Sequence, residues 1–206
     1  MNKPVRGRGR PPKLESRDVL LDVGKELLLT FGIRVTVDAI VAKAKVAKTT
    51  FYTYFTDKES FIEEVMLRES QRTISEQEFD ESHNADLYEV LVTFGERYLT
   101  FGNEHRLLRW DQLIVSANDI YPELARRLYE AGPGRGYRLL TFILRMACKR
   151  GEINIDDPEA AAEDLCGLWY GFTVLQINLR VRAPMTPEEI SLRAKRGVEQ
   201  FFKLVR

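Results

Sequence analysis

Residues 48–55 hold hydroxyl groups, aromatic rings and a lysine amine in one short run, Lys-Thr-Thr-Phe-Tyr-Thr-Tyr-Phe. In a helix of 3.6 residues per turn, Phe51 and Phe55 fall within about 40° of each other and form a buried face. Threonine hydroxyls can bind phosphates or base edges, and their methyl groups can contact thymine methyl groups. The run is therefore typical of a helix that lies in the major groove of DNA. The residues on its outward side and flanks are Thr49, Thr50, Tyr52, Thr53 and Tyr54.

The residues before this run predict another helix that would hold it in place. Thr36 is a favourable N-cap, and apolar residues from Val37 to Ala44 recur on one side of the segment that follows. A helix, a tight turn and a helix over residues 36–55 have the shape of a helix-turn-helix DNA reader. The same spacing fits an ordinary helical bundle that exposes threonines, so spacing alone leaves both interpretations open.

Helices are predicted on both sides of this pair. Ser16 is a candidate N-cap for a first helix whose apolar stripe ends before Gly32, and Thr56 and Glu59 match a capping box that opens a longer fourth helix. Every clear period after residue 80 is helical as well, and no alternating strand pattern of useful length occurs. We therefore predict an all-α chain of about nine or ten helices, with an N-terminal three-helix DNA-binding domain and a C-terminal helical ligand-binding and dimerisation domain.

The chain as a whole is neutral, with 31 basic and 31 acidic residues, but its charge is unevenly distributed. Residues 1–58 contain 12 basic and six acidic side chains, so this part carries +6 and the remaining 148 residues carry −6. Such an asymmetry is typical of nucleic-acid-binding proteins. We predict a flexible basic arm over residues 1–13, a helix-turn-helix DNA-binding domain over residues 14–60, and a helical regulatory and dimerisation domain over residues 61–206.

Residues 8–11 of the arm, Arg-Gly-Arg-Pro, match the core of an AT-hook. In that interpretation Arg8 and Arg10 enter a narrow A·T-rich minor groove. The alternative is a disordered basic tail that only attracts phosphates. In both cases the arm is expected to strengthen DNA binding.

Other function classes find little support in the sequence. Cys148 and Cys166 are too few and too isolated for a disulfide framework or a zinc site, and His83 and His105 stand without metal-ligand partners. No G-x-S-x-G, H-E-x-x-H or phosphate-loop motif occurs, which argues against an enzyme. The longest uncharged stretch, residues 165–179, has 15 residues, whereas a membrane helix needs about 20. We expect a cytoplasmic protein with no metal, cofactor or membrane contact.

Residues 37–61, VDAIVAKAKVAKTTFYTYFTDKESF, resemble the N-terminal domain of the TetR family of bacterial transcriptional regulators. Two positions depart from that family's pattern, because Lys45 replaces the usual turn glycine and Ala47 the usual capping serine. A residue other than glycine at φ > 0 is uncommon, and loss of the cap costs about 0.5–2 kcal/mol locally. The later segment YPELARRLYEAGPGRG resembles one regulatory-domain subgroup of the family. The matching positions are Ala44, Val46, Thr50, Tyr52, Tyr54, Phe55, Lys58 and Glu59.

The resemblance implies roles for individual residues. Tyr52 and Lys58 correspond to phosphate-binding residues of the family, and Thr36 corresponds to an N-cap that contacts a phosphate. Lys45 would place a compensating charge near the DNA backbone, and base contacts would come from residues 48–53. The predicted DNA-binding set, with the arm included, is Thr36, Lys45, Lys48, Thr49, Thr50, Tyr52, Thr53, Tyr54, Lys58, Arg8 and Arg10.

The helix predicted to begin at Pro158 is apolar nearly all round, which indicates burial against its own core and against a partner. In the family, the last two helices form a four-helix dimer interface, and a dimer reads both halves of a palindromic operator in double-stranded DNA. The alternative is a single thick monomeric core. The interface residues expected for a homodimer are Leu168, Phe172, Leu175, Leu179, Val198, Phe201 and Phe202.

Aromatic residues of the middle helices could line a cavity for a small hydrophobic or aromatic effector, although aromatic residues at helical spacing more often form plain core. In the family, a ligand in this region moves the DNA-binding domains apart, which implies a repressor that its ligand releases. A second hypothesis is a DNA-bound protein that acts through a protein partner without a small-molecule inducer. The expected cavity residues are Phe94, Tyr98, Phe101, Trp110, Tyr137, Trp169 and Phe172.

Overall fold

The computed structural model describes residues 13–75, 85–103, 107–118 and 120–205. Those residues form ten α-helices and one 3-10 turn, Gly32–Arg34, and they contain no strand, which confirms the predicted all-α fold. The helices are α1 Lys13–Phe31, α2 Val37–Ala44, α3 Lys48–Tyr54, α4 Lys58–Thr73, α5 Leu87–Asn103, α6 Leu107–Asn118, α7 Pro122–Ala131, α8 Pro133–Lys149, α9 Pro158–Asn178 and α10 Pro187–Leu204.

The chain divides into two compact units, residues 1–65 and residues 66–206. The division falls inside α4, the helix in which the sequence analysis also placed its boundary, after residue 60. The first unit contains the predicted helix-turn-helix, and the second contains α5 to α10. Among the described helices, none combines the length and apolarity that crossing a bilayer requires.

Polar side chains define the helix starts at several predicted positions. The Thr36 hydroxyl accepts a hydrogen bond from the Ala39 N–H at 3.2 Å, and the Asp157 carboxylate accepts two backbone N–H bonds at the start of α9. At the start of α10, Thr186 and Glu189 form a complete capping box. These contacts satisfy N–H groups that the first turn of a helix leaves without backbone partners. The predicted starts of α2 after Thr36 and of α9 at Pro158 are therefore confirmed.

Two predicted caps are wrong. Helix α4 begins at Lys58, so the residue at its N-cap is Asp57 and not Thr56. The Ser60 N–H donates to the Asp57 carboxylate at 2.7 Å, and the Asp57 N–H donates to the Ser60 hydroxyl at 3.2 Å. This reciprocal pair replaces the capping box expected from Thr56 and Glu59. Helix α1 begins at Lys13, so Ser16 lies inside the helix and is not its cap.

Three phenylalanine rings hold the first unit together. Phe51 of α3 lies 5.1 Å from Phe61 of α4 between ring centroids, and Phe55 lies 4.8 Å from Phe61. All three rings are buried, together with Leu20 of α1 and Ile40 of α2. Because α3 has seven residues, too few for a stable isolated helix, its position depends on this aromatic cluster.

Trp169 of α9 is the centre of the second unit's core. Its indole is fully buried, donates to the Ala194 carbonyl of α10 at 3.2 Å and stacks on Phe94 with centroids 6.0 Å apart. Two glycines on neighbouring helices, Gly95 of α5 and Gly197 of α10, lie directly beside the indole ring. A Cβ atom on Gly95 would lie 2.6 Å from the indole, and one on Gly197 would lie 2.7 Å from its Nε1 atom. The ring can therefore be buried only because neither neighbour carries a side chain.

Replacing Gly95 with alanine should lower the free energy of unfolding by about 1–3 kcal/mol, because the new methyl group overpacks the Trp169 ring. Gly167→Ala is the matched control, since a Cβ atom there meets nothing within 4 Å and alanine favours the helix. Urea unfolding of the full chain at one protein concentration measures both. Equal effects of the two substitutions would contradict this account of the core.

Candidate nucleic-acid interface

The turn between α2 and α3 is built around Lys45, whose backbone is left-handed with φ 56° and ψ 39°. The Val46 N–H donates to the Val41 carbonyl at 3.1 Å, and the Lys45 N–H donates to the Ala42 carbonyl at 3.3 Å. This bonding pattern is the Schellman motif, which requires a residue at φ > 0 and usually employs glycine. Lys45 therefore adopts the positive φ that glycine usually supplies at this position. The turn keeps its shape and places a lysine on it.

Helix α3 begins without a side-chain cap. Ala47 is extended, with φ −71° and ψ 147°, and its methyl group cannot accept the N–H bonds that a serine would take. The start of α3 is instead closed by the backbone, through the Thr50 N–H and the Ala47 carbonyl at 2.9 Å. Packing of Phe51 and Phe55 against Phe61, rather than a side-chain cap, therefore stabilises α3 as a helix.

The outward face of α3 agrees with the helical wheel drawn from the sequence. Phe51 and Phe55 are buried, whereas Thr49 and Thr53 are exposed and the Tyr52 side chain is 52% exposed. Thr50 and Tyr54 are half-buried at the edges of this face. The Thr53 hydroxyl donates to the Thr49 carbonyl at 2.9 Å, which leaves its oxygen free to accept a second bond. The helix thus presents hydroxyl groups on a rigid apolar base.

Two lysines at this face are held by neighbouring acceptors. The Lys48 ammonium lies 2.8 Å from the Asp38 carboxylate of α2, and this hydrogen bond and charge raise the pKa of Lys48 above its ordinary value. The Lys58 ammonium donates to the Ile33 carbonyl at 3.0 Å and is half-buried. Lys45, on the turn, is exposed. Lys48 is therefore charged and paired at the protein surface, and its ammonium has three N–H donors, so it can bind an anion while it contacts Asp38.

Two pairs of residues that the sequence analysis singled out lie outside the described residues. Arg8 and Arg10 lie outside the described residues, as do His83 and His105. Within the described residues no group of three or more His, Cys, Asp or Glu side chains could hold a metal ion. Because Arg8 and Arg10 are not among the described residues, the structure tests neither the AT-hook interpretation nor the basic-tail interpretation of the arm.

The aromatic residues predicted to line a cavity mostly fill the core of the second unit. Phe94, Trp110 and Trp169 are buried, and Tyr98 stacks on Tyr170 with centroids 4.8 Å apart. Burial raises the pKa of the Tyr98 hydroxyl strongly and raises the pKa of the Cys166 thiol to about 11, so both groups are protonated at neutral pH. The packed rings favour the plain-core alternative in this conformation.

The remaining cavity residues lie at the margin of that core. Tyr137 is half-buried and donates from its hydroxyl to the Glu159 carbonyl at 2.8 Å, and Phe101 is half-buried. Phe172 was predicted to line the cavity, and this is wrong, because its side chain is 80% exposed. Phe172 lies off the buried side of α9, on which Trp169, Thr173 and Ile177 recur every four residues.

The predicted dimer residues separate into two sets. Val198 and Phe201 are fully buried in the core of their own unit, so the prediction that they form a surface for a partner is wrong. Leu168 and Phe202 are half-buried, whereas Phe172, Leu175 and Leu179 are exposed. Sequence reasoning missed Leu192, whose side chain is 71% exposed on α10. Its position off the apolar stripe of α10 was the available signal.

An N-terminal helix-turn-helix unit followed by a larger all-helical unit defines a DNA-binding regulator of the helix-turn-helix class. The chain belongs to the TetR family of bacterial regulatory proteins. The model described as "Bacterial regulatory proteins, tetR family" matches residues 20–65, and the model described as "AefR-like transcriptional repressor, C-terminal domain" matches residues 89–204. TetR-family regulators are transcription factors rather than enzymes. None of the curated proteins matches the chain significantly.

Several solved structures share the fold over nearly the whole chain. A protein from Mesorhizobium loti, described as a TetR-family transcriptional regulator, is 23% identical with a TM-score of 0.80 over 95% of this chain and 99% of that one. The flavonoid-responsive regulator FrrA is 27% identical with a TM-score of 0.71 over 93% and 97% of the two chains. The regulator FadR from Bacillus subtilis, solved with stearoyl-CoA, is 18% identical with a TM-score of 0.68 over 89% and 96%.

Replacing Lys45 with glycine should raise the free energy of unfolding by roughly 0.5–1 kcal/mol, because the penalty of a left-handed side chain exceeds the added entropy of the unfolded chain. Lys45→Ala is the control, since it removes the charge but keeps the Cβ atom at φ 56°. Urea unfolding of both variants separates backbone strain from charge. If glycine and alanine gave the same stability, the left-handed turn would carry no strain.

Proposed function

We propose that the protein is a dimeric transcriptional repressor that binds a palindromic operator through α3 and is released when a small apolar ligand binds. The observation that carries the DNA-binding part is the outward face of α3, where exposed hydroxyl groups stand on a rigid aromatic base beside the basic turn at Lys45. A polar helix face on a fixed scaffold is the arrangement that the major groove accepts.

The predicted residues divide into two kinds of DNA contact. Tyr52 and Lys58 at the ends of the face, with Thr36 at the start of α2, would bind phosphates and set the register. Thr49, Thr50 and Thr53 would meet base edges, with Tyr54 at the edge of the face. Lys48 would exchange Asp38 for a phosphate or a base acceptor, so that its pairing in the free protein opposes non-specific binding. Arg8 and Arg10 of the arm would add phosphate or minor-groove contacts.

The dimer would form through the exposed apolar side chains of α9 and α10. Phe172, Leu175 and Leu179 follow one another along the second half of α9, and Leu192 lies on α10. Exposed large apolar groups at helical spacing on two adjacent helices are what a self-complementary interface requires. Val198 and Phe201 would support this surface from inside the protomer, where they are buried.

The effector is proposed by analogy and by composition. FrrA is flavonoid-responsive and FadR was solved with stearoyl-CoA, so related folds accept apolar ligands. In this chain such a ligand would have to displace part of the packed aromatic core, including the Tyr98–Tyr170 stack.

The packed core also favours the second candidate, a DNA-bound protein that acts through a protein partner without an inducer. Footprinting on the DNA upstream of the protein's own gene decides between them. Protection lost on addition of a flavonoid or stearoyl-CoA supports the first, and protection that neither changes supports the second.

Replacing Tyr52 with phenylalanine should weaken DNA binding about five- to tenfold for every sequence tested, because one phosphate hydrogen bond is lost while the ring and the fold remain. Tyr129→Phe is the matched control, because Tyr129 is similarly exposed but lies in the second unit. Fluorescence anisotropy on the footprinted DNA and on an unrelated duplex measures both. Wild-type affinity of Tyr52→Phe for both duplexes would remove Tyr52 from the interface.

Replacing Phe172 with glutamate should raise the dimer dissociation constant by at least about a hundredfold, because the substitution removes an anchor and buries a charge at the proposed interface. Phe142→Glu is the control, since Phe142 is exposed on α8, outside that surface. Sedimentation velocity at micromolar concentration reports the association state. A monomeric wild-type chain, or a dimer that survives Phe172→Glu, would refute this interface.

A further inference from the structure

Helix α9 is interrupted at Gly171, and an arginine from α10 occupies the break. Gly171 has φ 44° and ψ −156°, so the backbone carbonyls before it lose their helical partners. The Arg193 guanidinium donates to the carbonyls of Trp169 and Tyr170, the latter at 2.8 Å, and to the Thr173 hydroxyl at 2.9 Å. A Cβ atom on residue 171 would lie 2.7 Å from Arg193 Nη2. The glycine and the arginine therefore form a rigid unit.

A cavity of about 190 Å³ opens beside this guanidinium. It contains three guanidinium groups and one carboxylate, that of Glu189. The carboxylate is already shared, because one oxygen binds Arg182 at 2.9 Å and the other accepts the Thr186 N–H at 3.0 Å. The cavity is therefore strongly positive. Its lining residues are Thr173, Arg182, Met185, Glu189, Leu192, Arg193 and Arg196.

The cavity retains hydrogen-bond donors without acceptors. Arginine has five N–H donors, and within the described residues three of those on Arg193 have protein acceptors. Arg196 is exposed and, among the same residues, has no hydrogen bond or ion pair. Burial and the charges of Arg182 and Arg196 lower the pKa of Arg193, which is the effect expected of positive charge that nothing nearby neutralises. A bound anion would reverse that effect.

We propose that this cavity binds a small carboxylate with an apolar body, held by the guanidinium groups of Arg193 and Arg196. Guanidinium groups pair with carboxylates through two parallel hydrogen bonds, which matches the planar donors available here. Met185 and Leu192 supply an apolar wall for the rest of the molecule. The volume lies below the range of about 300–1,000 Å³ that drug-sized ligands occupy, so the ligand must be small. This cavity is not the one that the sequence analysis placed among the aromatic residues, and its proposal does not depend on DNA binding.

Benzoate is a suitable probe, because it joins one carboxylate to one small apolar ring. In titration calorimetry of the full chain, we expect benzoate to bind at least about tenfold more tightly than benzyl alcohol, which has the same ring without charge. Arg196→Gln should weaken benzoate binding about tenfold or more, and Arg182→Gln, a second variant, should also weaken it. Arg138→Gln, which removes an exposed arginine of α8, should leave binding unchanged.

A carboxylate could also come from a second copy of the chain, because Leu192 belongs both to this cavity and to the proposed dimer surface. Sedimentation of the same variants distinguishes the two sources. Benzoate binding that Arg196→Gln reduces, with the association state unchanged, supports the small-molecule site. Three results overturn it: no benzoate binding by the wild-type chain, equal binding of benzyl alcohol, or arginine variants that change association but not benzoate affinity.

Discussion

The burial of one face of a seven-residue helix is the constraint on which the candidate DNA interface depends. Helix α3 is too short to persist alone, and it lacks a side-chain cap at its start. Phe51 and Phe55 fix it by packing against Phe61 of the following helix. Every outward group of α3 therefore takes its direction from an apolar cluster that DNA would not touch. Precise presentation of hydroxyl groups requires this kind of support, since a mobile helix would lose more entropy on binding.

The second unit depends on a different packing constraint. Trp169 is buried between two glycines, and the helix that carries it breaks two residues later at Gly171. At this break Arg193 reaches in from α10 and donates to the carbonyls of Trp169 and Tyr170. The buried side of α9 continues through the break to Thr173 and Ile177, whereas Phe172, Leu175 and Leu179 lie on the exposed side of the same helix. This arrangement explains why residues of similar chemistry along α9 have such different environments.

Two lysines of the helix-turn-helix are held by acceptors within the protein, which reduces the positive charge that they offer to a ligand. The basic N-terminal part of the sequence, residues 1–58, contains the helix-turn-helix, yet Lys48 is paired with Asp38 and Lys58 is held by a backbone carbonyl. Within the described residues, positive charge without a paired carboxylate occurs at Lys45 on the turn and also in the arginine cavity between α9 and α10, which the sequence analysis did not predict. Net charge therefore indicates which part of a chain is electropositive, whereas only the structure shows which cations are available to a ligand.

Much of the fold follows from local rules that act within a few residues. Apolar periodicity predicted the helices, a polar residue predicted the cap at Thr36, and the turn at Lys45 has the left-handed backbone that glycine usually supplies there. The cap of α4 was misplaced because Thr56 and Asp57 are both good caps, and the choice depended on which residue began the helix.

Burial could not be predicted in the same way, because an apolar side chain has the same sequence signature whether it faces its own core or the solvent. Val198 and Phe201 proved to be core, and Phe172 proved to be surface, through the position of α9 against α10. By itself the sequence determined the helices, the turn and the chemistry of α3, since these depend on neighbours along the chain. Only the tertiary structure decided which apolar faces remain exposed and which arginines meet, because those outcomes depend on contacts between residues that are distant in sequence.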